Sequence, residues 1–168
     1  AASTIIMAKA FPQSHFIGID FHEESIDKAK ARAKEAGVSN IEFKVGTAKN
    51  YKDKDFDFIA FFDCLHDMGD PVGACAHAKQ ALKPNGTCMI VEPFANDSIA
   101  ENLNPVGRAF YAFSTQLCVP CSKNQEVGLA LGAQAGLKRL TETIKTGGFK
   151  YCEKAAETPF NFILEVKN

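Results

Sequence analysis

No apolar run in this chain approaches the roughly 18 residues that a membrane-spanning helix needs. Neither sign of charge dominates: 19 basic side chains face 20 acidic ones, for a formal charge of −1. The balance leaves no basic stripe for nucleic acid and no acidic tail for a disordered partner segment. A disulfide pattern is missing too. Cys64, Cys75, Cys88, Cys118, Cys121 and Cys152 are scattered over expected strands, helices and loops of a 168-residue chain, unlike the dense frameworks of small secreted domains. Reduced thiols and a cytoplasmic setting follow as expectations. Cys118 and Cys121 have CxxC spacing, but no second pair completes a zinc set, so packing or pocket-lining thiols are expected and no metal. Glycine is almost absent at the front, where Gly18 is the only one before Gly37. There is no targeting signal, internal repeat or low-complexity tract. The chain opens on Ala1 with a helix already under way from Ser3 to Phe11, and it is expected to be cut from something longer.

What the chain does have is concentrated between Phe56 and Pro71, FDFIAFFDCLHDMGDP. Phe58 to Phe62 is continuously apolar without alternation, the pattern of a strand buried on both faces of a parallel sheet. The strand ends on Asp63, and Cys64, His66 and Asp67 follow directly. Ligands of open parallel sheets sit outside the carboxyl ends of the strands. A carboxylate and an imidazole therefore stand where a ligand is expected.

The rest of the chain alternates strand and helix. Strands are expected at His15–Ile19 (closing on Asp20), Ile41–Val45 and Thr87–Val91. Helices are expected at Glu23–Ala36 with Gly37 as stop, from Pro71 to about Leu82, and at 136–146. Lys83-Pro84-Asn85-Gly86 reads as a turn. Strands at Lys150–Ala156 and Asn161–Val166 are separated by only Glu157 to Phe160, so they form an antiparallel hairpin. Alternation of this kind predicts an α/β fold: one domain over 1–168 with a mostly parallel, Rossmann-like sheet, helices on both faces and a reversed C-terminal strand. The section from about 94 to 135 interrupts the alternation. A stretch this long within a compact domain is usually helical or functional, and it is expected to form a lid-like insertion over the strand ends.

This order, with its final reversed hairpin, resembles the class I S-adenosylmethionine-dependent methyltransferases over nearly the whole chain. FIGID and the helix after it resemble the family's second strand, whose terminal acid binds the cofactor ribose; that implies a role for Asp20 with Phe21 beside it. Val45-Gly46-Thr47-Ala48 resembles the adenine-holding loop, and Ala81 to Thr87 the LKPGG turn. Phe62-Asp63-Cys64-Leu65-His66-Asp67-Met68 is similar to the LHDW motif of small-molecule O-methyltransferases, whose His is the catalytic base. Glu92-Pro93-Phe94 onward, with NLNPVGRAFYAFST, GLALGAQAG and ETPFNFILE, looks like bacterial methyltransferases that carry a winged-helix-like domain ahead of the catalytic one. The resemblance implies S-adenosyl-L-methionine as cofactor on Asp20, Phe21, Gly46, Thr47, Ala48, Asp63 and Cys64. It implies His66 as base, a substrate pocket with Glu92, Phe110, Tyr111 and Ser114, and a small-molecule methyl acceptor with a hydroxyl as the leading case. A homodimer is expected because the family's first strand would lie between His15–Ile19 and Phe58–Phe62, and its absence leaves two facing strand edges to be filled. Two departures stand out. The family's glycine-rich GxGxG loop, which precedes the helix with which this chain opens, has no counterpart here, and Thr47 replaces the usual acid of the adenine loop.

Each candidate also has a plainer role. Asp20 suits a ribose diol because a carboxylate offers two acceptor oxygens, but with Glu23 three residues on it also fits a helix N-cap. Asp63 could simply hold its loop. His66, near neutral pKa, suits proton abstraction from a hydroxyl with Asp67 or Asp70 orienting the ring, or it caps a helix. His15, His22 and His77 lack a partner cluster and read as structural. The 94–135 section forms a substrate wall or a dimer contact. Two further functions stay open. One is a non-catalytic or cofactor-binding-deficient binding or dimerisation module on the same fold, which the missing GxGxG loop favours by making weak S-adenosylmethionine binding the expectation for these 168 residues. The other is a nicotinamide-dependent oxidoreductase, against which the closing antiparallel hairpin and the missing Tyr-x-x-x-Lys pair both weigh.

Overall fold

The computed structural model describes residues 1–168. They form two compact units, Ala1–Lys52 and Asp53–Asn168, and the strands fall into a two-stranded and a four-stranded sheet rather than one.

The first unit holds α1 (Ala2–Ala10), β1 (Phe16–Asp20), α2 (Glu23–Glu35) and β2 (Ile41–Val45). Strands β1 and β2 pair in parallel with Asp20 opposite Val45. The apolar stripe of α2, Ile26, Ala29 and Ala33, packs with Phe43 and with Ile5, Val38 and Ile41. That stripe has helical spacing, as the sequence predicts. Gly18 is a packing requirement: a Cβ there would stand 2.6 Å from the Phe43 ring, so the aromatic lies where a side chain would be. Asn40 ties down the end of α1, its amide donating to the carbonyls of Ala8 and Ser14 at 3.0 and 2.9 Å.

The second unit holds β3 (Phe56–Phe62), α3 (Pro71–Ala81), β4 (Leu82–Pro93), α4 (Pro105–Phe113), α5 (Val119–Lys123), α6 (Gly136–Thr146), β5 (Tyr151–Glu157) and β6 (Asn161–Lys167). The sheet order is β3-β4-β6-β5. β3 and β4 are parallel, and β6 runs antiparallel to both β4 and β5. A single reversed strand therefore lies between two that share a direction. Its core includes Leu65, Ile90, Leu140, Ile144, Leu164 and Val166, each at most 1% exposed. α3 begins on Pro71 with Asp70 as its N-cap, the Asp70 Oδ1 accepting from Gly73 N at 2.8 Å. That cap satisfies one of the helix's orphan donors.

Two local expectations are corrected. The apolar run of β3 is not buried on both faces: β3 is an edge of its sheet, with Phe58 42% and Phe62 37% exposed. Lys83–Gly86 is not a turn ahead of the strand but lies inside β4: Phe56 pairs with Leu82 and Phe58 already pairs with Thr87. Three extra residues bulge out of the ladder, which is where Pro84, with no N–H to donate, can be housed. The 94–135 section does contain helices, and one of them is unusual. Between α4 and α5 the helix widens into a π turn, Ser114–Cys118. Pro120 donates no hydrogen bond, and its ring disfavours the ordinary ladder four residues back, so the chain adopts the wider turn just before it.

Candidate active site

β3 delivers the site. Asp63, just past its last residue, sits in the left-handed region at φ 47°, which Asp tolerates better than most residues. Its N–H donates to Val91 O at 2.8 Å and its Oδ1 accepts from the Asn161 amide at 2.8 Å. Burial raises the Asp63 pKa, against the lowering influence of His66 and Asn161. The chain then folds into a single 3₁₀ turn, Leu65–Asp67. Cys64, ahead of it, is half-buried, and its thiol is pushed up to about 12 by burial and by the Glu92 carboxylate.

The turn places the His66 ring inside the protein, 5% exposed. Its Nδ1 lies 2.6 Å from Glu92 Oε2, and the other Glu92 oxygen accepts from Leu65 N at 2.9 Å. Glu92 is fully buried, so these two bonds are what makes its carboxylate tolerable there. The carboxylate also fixes the ring: Nδ1 carries the hydrogen, and Nε2 is left for other partners. Nε2 stands 3.3 Å from Asp67 Oδ1. Burial disfavours the charged imidazole, but the hydrogen bond and charge of Glu92, then Asp67 and Asp63, outweigh it and raise the His66 pKa above the ordinary value of 6.5.

The 94–135 section is laced to this turn. Ser122 Oγ donates to Met68 O at 2.7 Å, and the Gln125 side chain bridges Asp67 O and Gly69 N, both at 2.9 Å. Gly132 N reaches His66 O at 3.3 Å. Gly69 allows the close approach, because a Cβ there would fall 2.5 Å from Glu126 O. Together these elements line an open cavity of about 370 Å³, bounded by Asp63 and His66, by Phe110, Phe113 and Cys118 of the 94–135 section, and by Phe160 near the hairpin turn, among others. The wall is mostly apolar, with three phenylalanines, and its polar end is made by a carboxylate, an imidazole and the Asn161 amide. Cys118 lies against Asp67, and burial together with that carboxylate pushes its thiol up to about 12.

Of the expected pocket residues, Phe110 lines the cavity. Tyr111 is not among its lining residues, and Ser114 is buried with its Oγ accepting from Ala133 N at 3.1 Å. Glu92 lies behind His66 instead of facing the cavity. Asp70 is the α3 cap, so the ring is held by Glu92 and approached by Asp67. In the other unit, Asp20 and the 46–48 loop are neighbours at the carboxyl ends of β1 and β2, with Gly46 N donating to Asp20 O at 3.0 Å. Asp20 Oδ1 accepts from His22 N at 2.9 Å, and the N-cap position of α2 belongs to His22. Phe21 is 73% exposed. Thr47 N is occupied by the Asn50 side chain at 2.8 Å, so of that loop's donors one is already used.

The role of Glu92 was the part least visible in sequence, yet it left a signal. Cys88, Ile90 and Glu92 all face inward on β4, and an acid in the inward register of a buried strand needs a partner.

A family model described as "Methyltransferase domain" matches residues 1–145. Among curated relatives, the uncharacterized methyltransferase YcgJ of Bacillus subtilis is 32% identical over 81 residues, 47% of this chain and 32% of its own length. The ubiquinone/menaquinone biosynthesis C-methyltransferase UbiE of Bdellovibrio bacteriovorus is 32% identical over 105 residues, 61% of this chain and 42% of its own length. The chain thus spans less than half the length of these curated relatives. Among solved structures, an O-methyltransferase family 2 protein from Planctomyces limnophilus in complex with apigenin superposes with a TM-score of 0.73 at 18% identity, covering 98% of this chain and 47% of that one. The structure of Bacillus YcgJ gives a TM-score of 0.64 at 18% identity, covering 97% and 87%. At such identities the structural likeness speaks for the fold alone.

Proposed function

The chain belongs to the methyltransferase-domain family and has the class I methyltransferase fold, and from that premise we propose that it moves a methyl group from S-adenosylmethionine to a hydroxyl of a small-molecule acceptor, with His66 as base. The observation that carries this reading is the His66–Glu92 pair at the cavity wall. Glu92 holds the proton on Nδ1, which keeps the Nε2 lone pair available to take the acceptor's proton. The aromatic side chains Phe110, Phe113 and Phe160 suit an acceptor with a flat apolar body.

The cofactor fits the residues assigned to it in one concrete respect: Asp20 commits one carboxylate oxygen to the His22 turn and keeps a second for a diol. Phe21, Gly46, Thr47 and Ala48 complete that set in the first unit. When bound, the cofactor supplies an electrophilic methyl group on a cationic sulfur. The chain's contribution is then mostly positional, since holding a nucleophile in line replaces a large entropic cost. Asp63, fixed by Asn161 and Val91, and His66, fixed by Glu92, are the groups held still for that purpose.

The test is release of S-adenosylhomocysteine over a panel of hydroxyl, amine and thiol acceptors. His66→Ala is expected to lower turnover of the hydroxyl acceptors by roughly 10²-fold or more while leaving cofactor affinity near wild type. The wild-type rate should climb as pH rises through a pKa above the ordinary histidine value, because only the neutral ring can accept a proton. Turnover confined to amines or thiols, or a His66→Ala enzyme as fast as wild type, would sink the reading.

A further inference from the structure

The cavity wall carries a second chemistry. Nε2 of His66, a carboxylate oxygen of Asp67 and Sγ of Cys118 all lie within 4.8 Å of one another. Oδ1 of Asp67 is buried and makes no hydrogen bond, although His66 Nε2 is only 3.3 Å away. With the ring hydrogen on Nδ1, committed to Glu92 at 2.6 Å, the neutral ring turns a lone pair toward another lone pair. A proton on Nε2 or a metal ion between the two atoms relieves that contact. The spacing is also that of a metal site: two N/O ligands at about 2.0–2.1 Å from a tetrahedral ion stand about 3.3–3.4 Å apart, and a thiolate at about 2.3 Å stands about 3.5 Å from each. From 4.8 Å, Cys118 would need to close by little more than about 1 Å at most.

We propose that His66 Nε2, Asp67 Oδ1 and Cys118 Sγ form a three-ligand site for a zinc-class ion, with the fourth position open to the cavity. One imidazole, one carboxylate and one thiolate suit borderline ions such as Zn²⁺ or Co²⁺, whereas Mg²⁺ and Ca²⁺ take all-oxygen sets. Three protein ligands and one open position distinguish a reactive site from a closed structural one. Behind the histidine, Glu92 supplies the partner that metal-bound imidazoles regularly have on their far nitrogen, and Leu65 N–H fixes that carboxylate in turn. Binding replaces the S–H bond by a metal–sulfur bond and releases the proton to solvent. The CxxC pair does not act as a unit here, for Cys121 is exposed and only Cys118 faces the cluster.

The ion and an incoming proton compete for the same Nε2 lone pair. A metal-loaded chain therefore has no base at position 66, and zinc should inhibit transfer to a hydroxyl. That consequence rests on the proposed function; the binding itself does not.

Titration with Co²⁺ under reducing conditions reads both. We expect one ion per chain, with the visible bands of tetrahedral cobalt and a thiolate charge-transfer band, all displaced by Zn²⁺. Cys118→Ser should abolish the thiolate band, Glu92→Gln should weaken binding by about 10–100-fold, and Cys121→Ser should change neither. Circular dichroism of each variant checks that it folds, and Cys121→Ser serves as the folded thiol control. Absence of a thiolate band in the wild type, or its loss in Cys121→Ser and not in Cys118→Ser, overturns the site. Cobalt binding through Cys118 in a protein that methylates nothing would leave the site standing and remove the function. Transfer that depends on His66 but is indifferent to zinc, with no cobalt bound, would do the reverse.

Discussion

Glu92→Gln isolates what the buried carboxylate does for His66. Glutamine keeps the length of the side chain, and its amide oxygen can still accept from Leu65 N as Glu92 Oε1 does at 2.9 Å. What it lacks is a charge and an acceptor on the side facing Nδ1, now 2.6 Å from Glu92 Oε2. An amide NH₂ there donates, so the ring must accept at Nδ1 and carry its hydrogen on Nε2. The base nitrogen is then blocked. Turnover should fall by roughly 10²-fold or more, as for His66→Ala, with the packing of the ring retained.

The same substitution has a stability signature with a fixed sign. The His66 pKa is raised in the folded chain, chiefly by Glu92 working against burial. A group held above its unfolded pKa contributes stability that is complete below that unfolded value and drains away as pH rises through the folded one. A hydrogen bond to a charged partner is worth about 1.5–3 kcal/mol, so Glu92→Gln should cost about that much in urea unfolding near pH 5.5 and distinctly less near pH 8.5. An equal cost at both pH values, together with a wild-type pH–rate profile, would refute the idea that Glu92 sets the protonation of His66.

Two further substitutions probe the first unit. Asp20→Ala should weaken S-adenosylmethionine binding by about 1.5–3 kcal/mol in calorimetry, the worth of hydrogen bonds to a carboxylate; unchanged affinity would return Asp20 to its turn with His22. Gly18→Ala puts a Cβ 2.6 Å from the Phe43 ring and should destabilise by about 1–3 kcal/mol in chemical unfolding, with Phe43→Leu recovering part of the loss; additive costs in the double variant would mean that the ring is not what Gly18 makes room for.

The fold was legible where one local rule decided the outcome. Pro71 at the start of α3 and the few residues between the last two strands each allowed one structure, and the observed elements follow. The apolar run of β3 forms its strand, but at a sheet edge with Phe58 and Phe62 exposed, because periodicity reports a strand and not which faces its neighbours cover. Legibility failed where two rules competed. Lys83-Pro84-Asn85-Gly86 has turn chemistry, but the pairing of Phe56 with Leu82 starts the strand early and turns the segment into a bulge. Nothing in STQLC announces a π turn except Pro120, two residues beyond it. At the site, His66 stood out because an imidazole after an apolar strand is conspicuous. Glu92 entered only through the resemblance, as a pocket residue, and its place behind the ring emerges when its register with Cys88 and Ile90 is counted. Asp70 looked like a candidate to orient the ring and is a helix cap, a role its position before Pro71 also fits.

Three departures from local rules converge on one cavity. Glu92 is a carboxylate in the inward register of a central strand, and burying it costs several kcal/mol unless its bonds are all made. Asp63 is a non-glycine residue in left-handed backbone at φ 47°, and the π turn places Cys118 on the wall. Each alone has a structural remedy: the Leu65 and His66 bonds, the Asn161 amide, the missing N–H of Pro120. Stability gives no reason for all three to meet at the same 370 Å³, because an apolar residue at position 92 would spare the desolvation cost altogether. Departures of this kind collect where function overrides folding. Under the proposed function, the cavity of the second unit is the place where stability is given up for chemistry, and the His66 nitrogen that faces Asp67 is the atom that takes the proton.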